Sequence, residues 1–215
     1  IESARTSGVP VLVDPKGTDW ERYRGAACNT PNLSELQAVA QPFPAEDDAQ
    51  VAGAAGKVLE KFGLDRILVT RGARGMCLLE KDSKPHFIRS AARQVFDVSG
   101  AGDTVIATLA HGIARGDSFE QSARRANLAA GIVVGALVVG DVGYMYYGGM
   151  GPAQAFANAS MILSGMGPLD KMDTTAGYIF EGIYALVCGL LFFAVAGLIL
   201  APMFHRLLHR FHLED

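Results

Sequence analysis

The chain has 215 residues, half of them hydrophobic, with 19 Lys and Arg set against 22 Asp and Glu for a formal net charge of -3. That length accommodates one domain or two around a substantial core, and the slightly acidic balance gives no electrostatic footing for nucleic acid as a partner. Cys28, Cys77 and Cys188 are odd in number and form no CxxC pair, which argues against a disulfide framework or a thiolate zinc site and fits a reducing compartment.

The opening "IESARTSGVPVLVDPKG" starts without Met or a signal peptide and reads as a helix end followed by a strand, the expectation for the interior of a longer protein. "VPVLVDP" (9–15) has the short apolar run of a parallel strand buried on both faces, closed by Pro15. "TPNLSELQAVA" (30–40) turns into a helix, and "DAQVAGAAGKVLEKFG" (48–63) is an amphipathic helix capped by Gly63. "DRILVTRG" (65–72) is a second buried strand entering a Gly-rich turn, and "GMCLLEKDSKPHFIRS" (75–90) reads as a hairpin. Ser118 and Gln121 have capping-box spacing ahead of a further helix. Alternating strands and helices predict an α/β layered fold with a mostly parallel sheet, whose ligands bind beyond the carboxyl ends of the strands.

"DVSGAGDT" (97–104) precedes "VIATLAHGIARG", whose Val105, Ile106, Leu109, Ala110 and Ile113 have the spacing of a helix with one buried face. The glycines therefore stand at a helix N-terminus, where free N–H groups and the helix dipole favour an anion and small residues let a phosphate approach. Asp103 would repel that phosphate unless its task is to take a proton from the group that attacks it, a combination suited to phosphoryl transfer. Aspartate in a first helical turn is equally favourable with no chemistry at all.

"VPVLVDPKGTDWERYRGA", "TPNLSEL", "LVTRGARGM", "VFDVSGAGDTVIATLA" and "ANLAAGIVVG" together resemble the ribokinase-like (PfkB) family of sugar kinases, most closely its bacterial heptose 7-phosphate kinases of lipopolysaccharide precursor synthesis, over residues 1–135. The resemblance implies a partial ribokinase-like layered sandwich, the C-terminal nucleotide-binding half of such a kinase, with ATP and Mg2+ as cofactors and a sugar phosphate as substrate. It implies that Asp103 is the base for the attacking hydroxyl and that the amides of Gly100, Ala101 and Gly102 form the anion hole. Asn32 and Glu35 match an N-x-x-E element that organises magnesium through water, and Lys16 of "DPKG" matches a place where phosphate charge is neutralised. Thr70, Gly72 and Gly75 match the turn that approaches the nucleotide, and Asn127 the helix bordering the adenine pocket. A carboxylate and an amide three residues apart share one helix face, as a hydrated hard cation requires; Asn32 could equally serve as a helix cap. The half that supplies the family's early strands and most sugar contacts is missing, so an incomplete enzyme is expected, with room for a homodimer. Nothing after Gly135 matches the adenylyltransferase to which heptose kinases are often fused, and adenylyl transfer is not expected.

Beyond residue 135 the charges nearly vanish. Residues 136–176 read as an apolar, Gly-rich connector or first membrane segment, and 177–215 as a transmembrane helix with a basic end. Gly182–Phe204 carries no charge, and its 23 residues at 1.5 Å each reach about 34 Å, against a bilayer core of about 30 Å. Arg206 and Arg210 place the following end in the cytoplasm, and His205, His209 and His212 read as an interfacial amphipathic end rather than as metal ligands. A cytoplasmic kinase part then requires a second span. Leu128–Met150, with Asp141 its only charge, is the candidate, although its start competes with the kinase helix. The tail is similar to small bacterial two-span membrane proteins ending in "HRLLHRFH", so the chain reads as part of a sugar kinase joined near residue 135 to part of an inner-membrane protein. The rival expectations are a membrane protein carrying an inactive kinase remnant and a nucleotide-binding module without turnover.

Overall fold

After a short helix, α1 (Glu2–Thr6), five short runs in the first ninety residues pair into one sheet in chain order: β1 (Leu12–Val13), β2 (Cys28–Asn29), β3 (Arg66–Thr70), β4 (Met76–Glu80) and β5 (His86–Ile88). The computed structural model describes residues 1–90 and 101–192. The chain divides into two compact units, Ile1–Ile132 and Val133–Asp215. Of the sequence-predicted features, Gly100, the C-terminal part of the span expected over Gly182–Phe204, and the basic and histidine-rich end at 205–212 lie outside the described residues.

The sheet corrects one expectation. Rather than mostly parallel, it is mixed: β1, β2 and β3 run parallel, whereas β4 pairs antiparallel with β3 and β5 antiparallel with β4. The cause is local. Parallel neighbours need a crossover, which α2 (Leu33–Val39) and α3 (Asp48–Phe62) supply between β2 and β3. Between β3 and β4 there is only the tight turn Arg71–Gly75, which can return the chain only antiparallel. β1 also differs from the run of full burial expected at 9–15, because it lies at the sheet edge and its two residues are half-buried.

Helices cover both faces, giving an α/β/α sandwich with two cores. Side chains alternate along β3, so Ile67 and Val69 join Trp20, Leu36, Val51, Val58 and Phe62 on one side. Leu68 joins Cys28, Met76 and Leu78 on the other, against Val105 and Leu109 of α4 (Ala101–Ala114) and Ala123 and Ala126 of α5 (Phe119–Gly148). Gly63 and the Ser118–Gln121 pair cap their helices as the sequence leads one to expect, and Asp47 is a further cap that the sequence reading did not single out. Asp47 accepts from the N–H groups of Ala49 and Gln50 to start α3, and Gly63 ends it at φ 59°. Before α5, the Gln121 N–H donates to Ser118 Oγ and the Ser118 N–H to Gln121 Oε1.

The second unit comprises the C-terminal part of α5, α6 (Pro152–Leu163) and α7 (Thr175–Phe192). Glycines on α5 admit aromatic rings from α7: a Cβ on Gly143 would meet the Phe180 ring, and one on Gly140 would meet Tyr184 and the Ala159 methyl. Tyr144 sits edge-on to Phe180 and Tyr184 at 5.8 and 6.4 Å, and its hydroxyl donates to Glu181 Oε1 at 3.0 Å. The buried Asn158 of α6 ties down the segment after it. Its Oδ1 accepts from the N–H groups of Leu169 (2.8 Å) and Asp170 (2.9 Å), and its Nδ2 donates to Asp170 Oδ2 (2.8 Å). Outward, α5 presents Val138, Val139 and Val142, and α7 presents Ile179, Ile183, Leu186 and Leu190. Both helices are long and apolar enough to cross a membrane.

Candidate nucleotide site

Three parallel strands end at the same edge, and the sequence puts its polar clusters there. The Thr30 N–H donates to the Val13 carbonyl and the Thr70 N–H to the Pro31 carbonyl, both at 2.8 Å, and Asn32 bridges Thr70 in parallel register. The loop after β1, the N-terminus of α2 and the end of β3 are thereby joined. Lys16, Asn32, Glu35 and Thr70, expected from separate stretches, come together.

Asn32 is the N-cap of α2, and the pair forms a complete capping box. The Glu35 N–H donates to Asn32 Oδ1 at 2.8 Å, and the Asn32 N–H donates to Glu35 Oε2 at 2.9 Å. The second Glu35 oxygen, Oε1, accepts from Lys16 Nζ at 2.7 Å. Asp14, which the sequence reading passed over, meets the same ammonium at 3.1 Å. The available signal was the i, i+2 acid–base pair inside "DPKG". Glu35 above all, bonded directly to Nζ, and Asp14 after it push the Lys16 pKa up to about 12 against a smaller opposing desolvation, so the ammonium stays charged across the neutral range. The loop beneath is pinned. Tyr23 Oη accepts from the Lys16 N–H (3.2 Å) and donates to the Lys16 carbonyl (3.3 Å), and the buried Trp20 donates Nε1–H to the Gly17 carbonyl (3.0 Å).

The "TRGARG" turn is closed by the Arg71 N–H on the Gly75 carbonyl (2.8 Å) and the Gly75 N–H on the Gly72 carbonyl (3.0 Å). Gly75 has φ 85°, and a Cβ there would fall onto the backbone of Ile88, Arg89 and Ser90. Asn127, buried on α5, donates Nδ2–H to the Arg89 carbonyl of that same stretch at 2.8 Å. Gly75 and Asn127 thus grip one segment from two elements. Arg71 is buried, with Nη2 2.7 Å from Asp48 Oδ1, and fastens the turn to the start of α3.

Gly102 and Asp103, both exposed, lie in the first turn of α4, where a carboxylate is favoured by the dipole. α4 packs against β1, the strand that leads into Lys16. Among the described residues no three His, Cys, Asp or Glu side chains gather into a metal cage. Asn32 and Glu35 offer one amide and one carboxylate, the latter with Oε1 already facing a cationic group, a pair of donors that suits magnesium held through water.

A mixed sheet lies between helical layers, with a Gly-rich turn and a capped N-x-x-E helix at the carboxyl ends of its parallel strands. The chain belongs to the pfkB family carbohydrate kinases, whose pattern it matches over residues 1–141. Over 137 residues it is 51% identical to the bifunctional protein HldE of Cronobacter sakazakii and 50% identical to that of Haemophilus influenzae. The match covers 64% of this chain, which spans 28% of the length of those relatives. Among solved structures, Arabidopsis thaliana ribokinase complexed with ribose and ATP is similar at 32% identity and a TM-score of 0.55, over 62% of this chain and 44% of that one. Ribokinase from Thermotoga maritima is similar at 26% identity and a TM-score of 0.52, over 62% and 45%.

Proposed function

We propose that this chain transfers the γ-phosphoryl group of ATP to a hydroxyl of a sugar or sugar phosphate, with heptose 7-phosphate, a lipopolysaccharide core precursor, as the acceptor. The observation that carries the reading is the meeting of Lys16, Asn32, Glu35 and Thr70 at the carboxyl ends of three parallel strands, in a chain of the pfkB family. In this reading the carboxylate of Asp103 accepts the proton of the attacking hydroxyl, and the amides of Gly100, Ala101 and Gly102 receive the transferring group. Asn32 and Glu35 would hold magnesium through water, which supplies neutralisation of phosphate charge. The turn of Thr70, Gly72 and Gly75 and the helix bearing Asn127 border the nucleotide. The apolar helices α5 and α7 anchor the chain in a membrane, with the kinase part on the cytoplasmic side; their length and the exposed apolar residues Val138, Val139 and Val142 of α5 and Ile183, Leu186 and Leu190 of α7 support this.

The test is calorimetric titration of the detergent-solubilised chain with magnesium-ATP, followed by a phosphotransfer assay on heptose 7-phosphate. Saturable binding and turnover are expected, with Asp103→Asn lowering turnover by about 10²–10⁴-fold while binding is retained. Turnover unchanged in Asp103→Asn removes the base assignment. Binding without turnover on any sugar phosphate makes the chain a nucleotide-binding module, and absence of binding overturns the kinase reading.

A further inference from the structure

"DPKG" places an acid and a base two residues apart, and folding gives the base a second acid. Lys16 Nζ lies 3.1 Å from Asp14 Oδ2 and 2.7 Å from Glu35 Oε1, while Glu35 Oε2 is held by the Asn32 N–H. Both oxygens of Glu35 are therefore engaged, one by a backbone group that the helix cannot release and one by a side chain that can leave. The Lys16 backbone is fixed through Tyr23, but its side chain is 68% exposed and ends a flexible four-carbon stem. Glu35 is largely covered while Nζ is held only by side-chain contacts at the end of an exposed stem, so the ammonium can exchange when a denser negative charge is offered. A triphosphate offers such a charge, and the water shell of a divalent cation needs the oxygen that the ammonium covers.

We propose that Asp14, Lys16 and Glu35 form an exchange latch: the Lys16 ammonium occupies Glu35 while the site lacks nucleotide and passes to a phosphate oxygen when the magnesium nucleotide arrives. The latch rests on the nucleotide reading above. Glu35 is thereby uncovered for the cation only when phosphate is present to take the lysine, so magnesium alone binds poorly and magnesium with nucleotide binds well. Asp14 is a positioning residue that keeps the ammonium within reach of both places.

The experiment is calorimetry on the full chain in detergent with three titrants: MgCl2 alone, ATP with a chelator, and magnesium-ATP. Trp20 fluorescence verifies the fold of each variant. Lys16→Met is expected to bind Mg2+ alone at least about tenfold more tightly than the unaltered chain and magnesium-free ATP at least about tenfold more weakly, each a change of about 1.4 kcal/mol. Lys16→Arg keeps the charge and is expected to restore the original magnesium dependence. Equal Mg2+ affinity in Lys16→Met and the unaltered chain, with ATP still binding, overturns the latch alone, as does a Lys16→Arg chain that behaves like Lys16→Met. Failure of the unaltered chain to bind ATP under any condition overturns the nucleotide reading and the latch with it.

Discussion

Replacing Gly75 with Ala tests whether the Arg71–Gly75 turn is a site of forced close approach. The residue has φ 85° and ψ -130°, a region closed to side chains at a cost of about 1–3 kcal/mol. The added methyl would also press on the backbone of Ile88, Arg89 and Ser90, which cannot rotate away as a side chain tip would; such overpacking costs about 1–3 kcal/mol more. The sum is about 2–6 kcal/mol. Gly17→Ala is the internal control, because Gly17 has φ 70° but its Cβ would meet nothing within 4 Å, leaving only the backbone cost of about 1–2 kcal/mol. Trp20 is the chain's one tryptophan and is fully buried in the core beside α3, so its fluorescence reports unfolding of the first unit. With a urea slope of about 2 kcal/mol/M, a loss of 4 kcal/mol moves the midpoint by about 2 M, against about 0.5–1 M for the control. Equal shifts for the two variants would refute the reasoning, since the Ile88–Ser90 segment would then yield freely.

Two further predictions concern groups away from the turn. Burial pushes the thiols of Cys28 up to about 12 and of Cys77 up to about 11, so a disulfide reagent at pH 8 should modify neither until the Trp20 signal reports unfolding; modification of the folded chain would contradict their placement in the core. The hydrogen bond from Asn158, and after it one from Gln154, holds the Asp170 carboxyl below the usual aspartate range. A carboxyl depressed by folding contributes above its unfolded value and loses that contribution as pH falls through the folded one. Intrinsic-rate-corrected hydrogen exchange at Leu169 and Asp170 should therefore stay slow at neutral pH and quicken below about pH 4. Asn158→Leu, which removes the acceptor for both amides, should speed exchange there at every pH; equal protection in the variant would refute the clamp.

What the sequence disclosed and what it withheld divide along physical lines. Caps are local chemistry, so Asn32, Gly63 and the Ser118–Gln121 pair could be read residue by residue. Strand direction is not local in that sense. The apolar runs at β3 and β4 look alike whether neighbours run with or against each other, and only the brevity of Arg71–Gly75 decided the matter. Asn32, weighed as either cap or cation ligand, is a cap whose partner Glu35 still turns one oxygen outward toward Lys16. Asp14 escaped notice because its importance depends on Glu35, which is distant in sequence and adjacent only after folding. From Leu128 onward, apolar residues follow one another with too few polar breaks to show where one packing environment ends and the next begins; the answer is a single helix, Phe119–Gly148.

The mixed sheet also sets an order of assembly. β3, β4 and β5 form a meander closed by short turns, so their pairing needs little loop closure. Joining β2 to β3 must first close a loop containing all of α2 and α3, which adds about 2 kcal/mol of chain entropy on logarithmic scaling. The meander is therefore the natural early structure and the β1–β2 side the late one. The turn at Gly75 belongs to the early part, whereas Lys16, Asn32 and Glu35 are delivered by the late part. The candidate site is thus completed by the last strands to dock, and in kinetic experiments the binding of a phosphate ligand should be felt chiefly as slower undocking of β1 and β2.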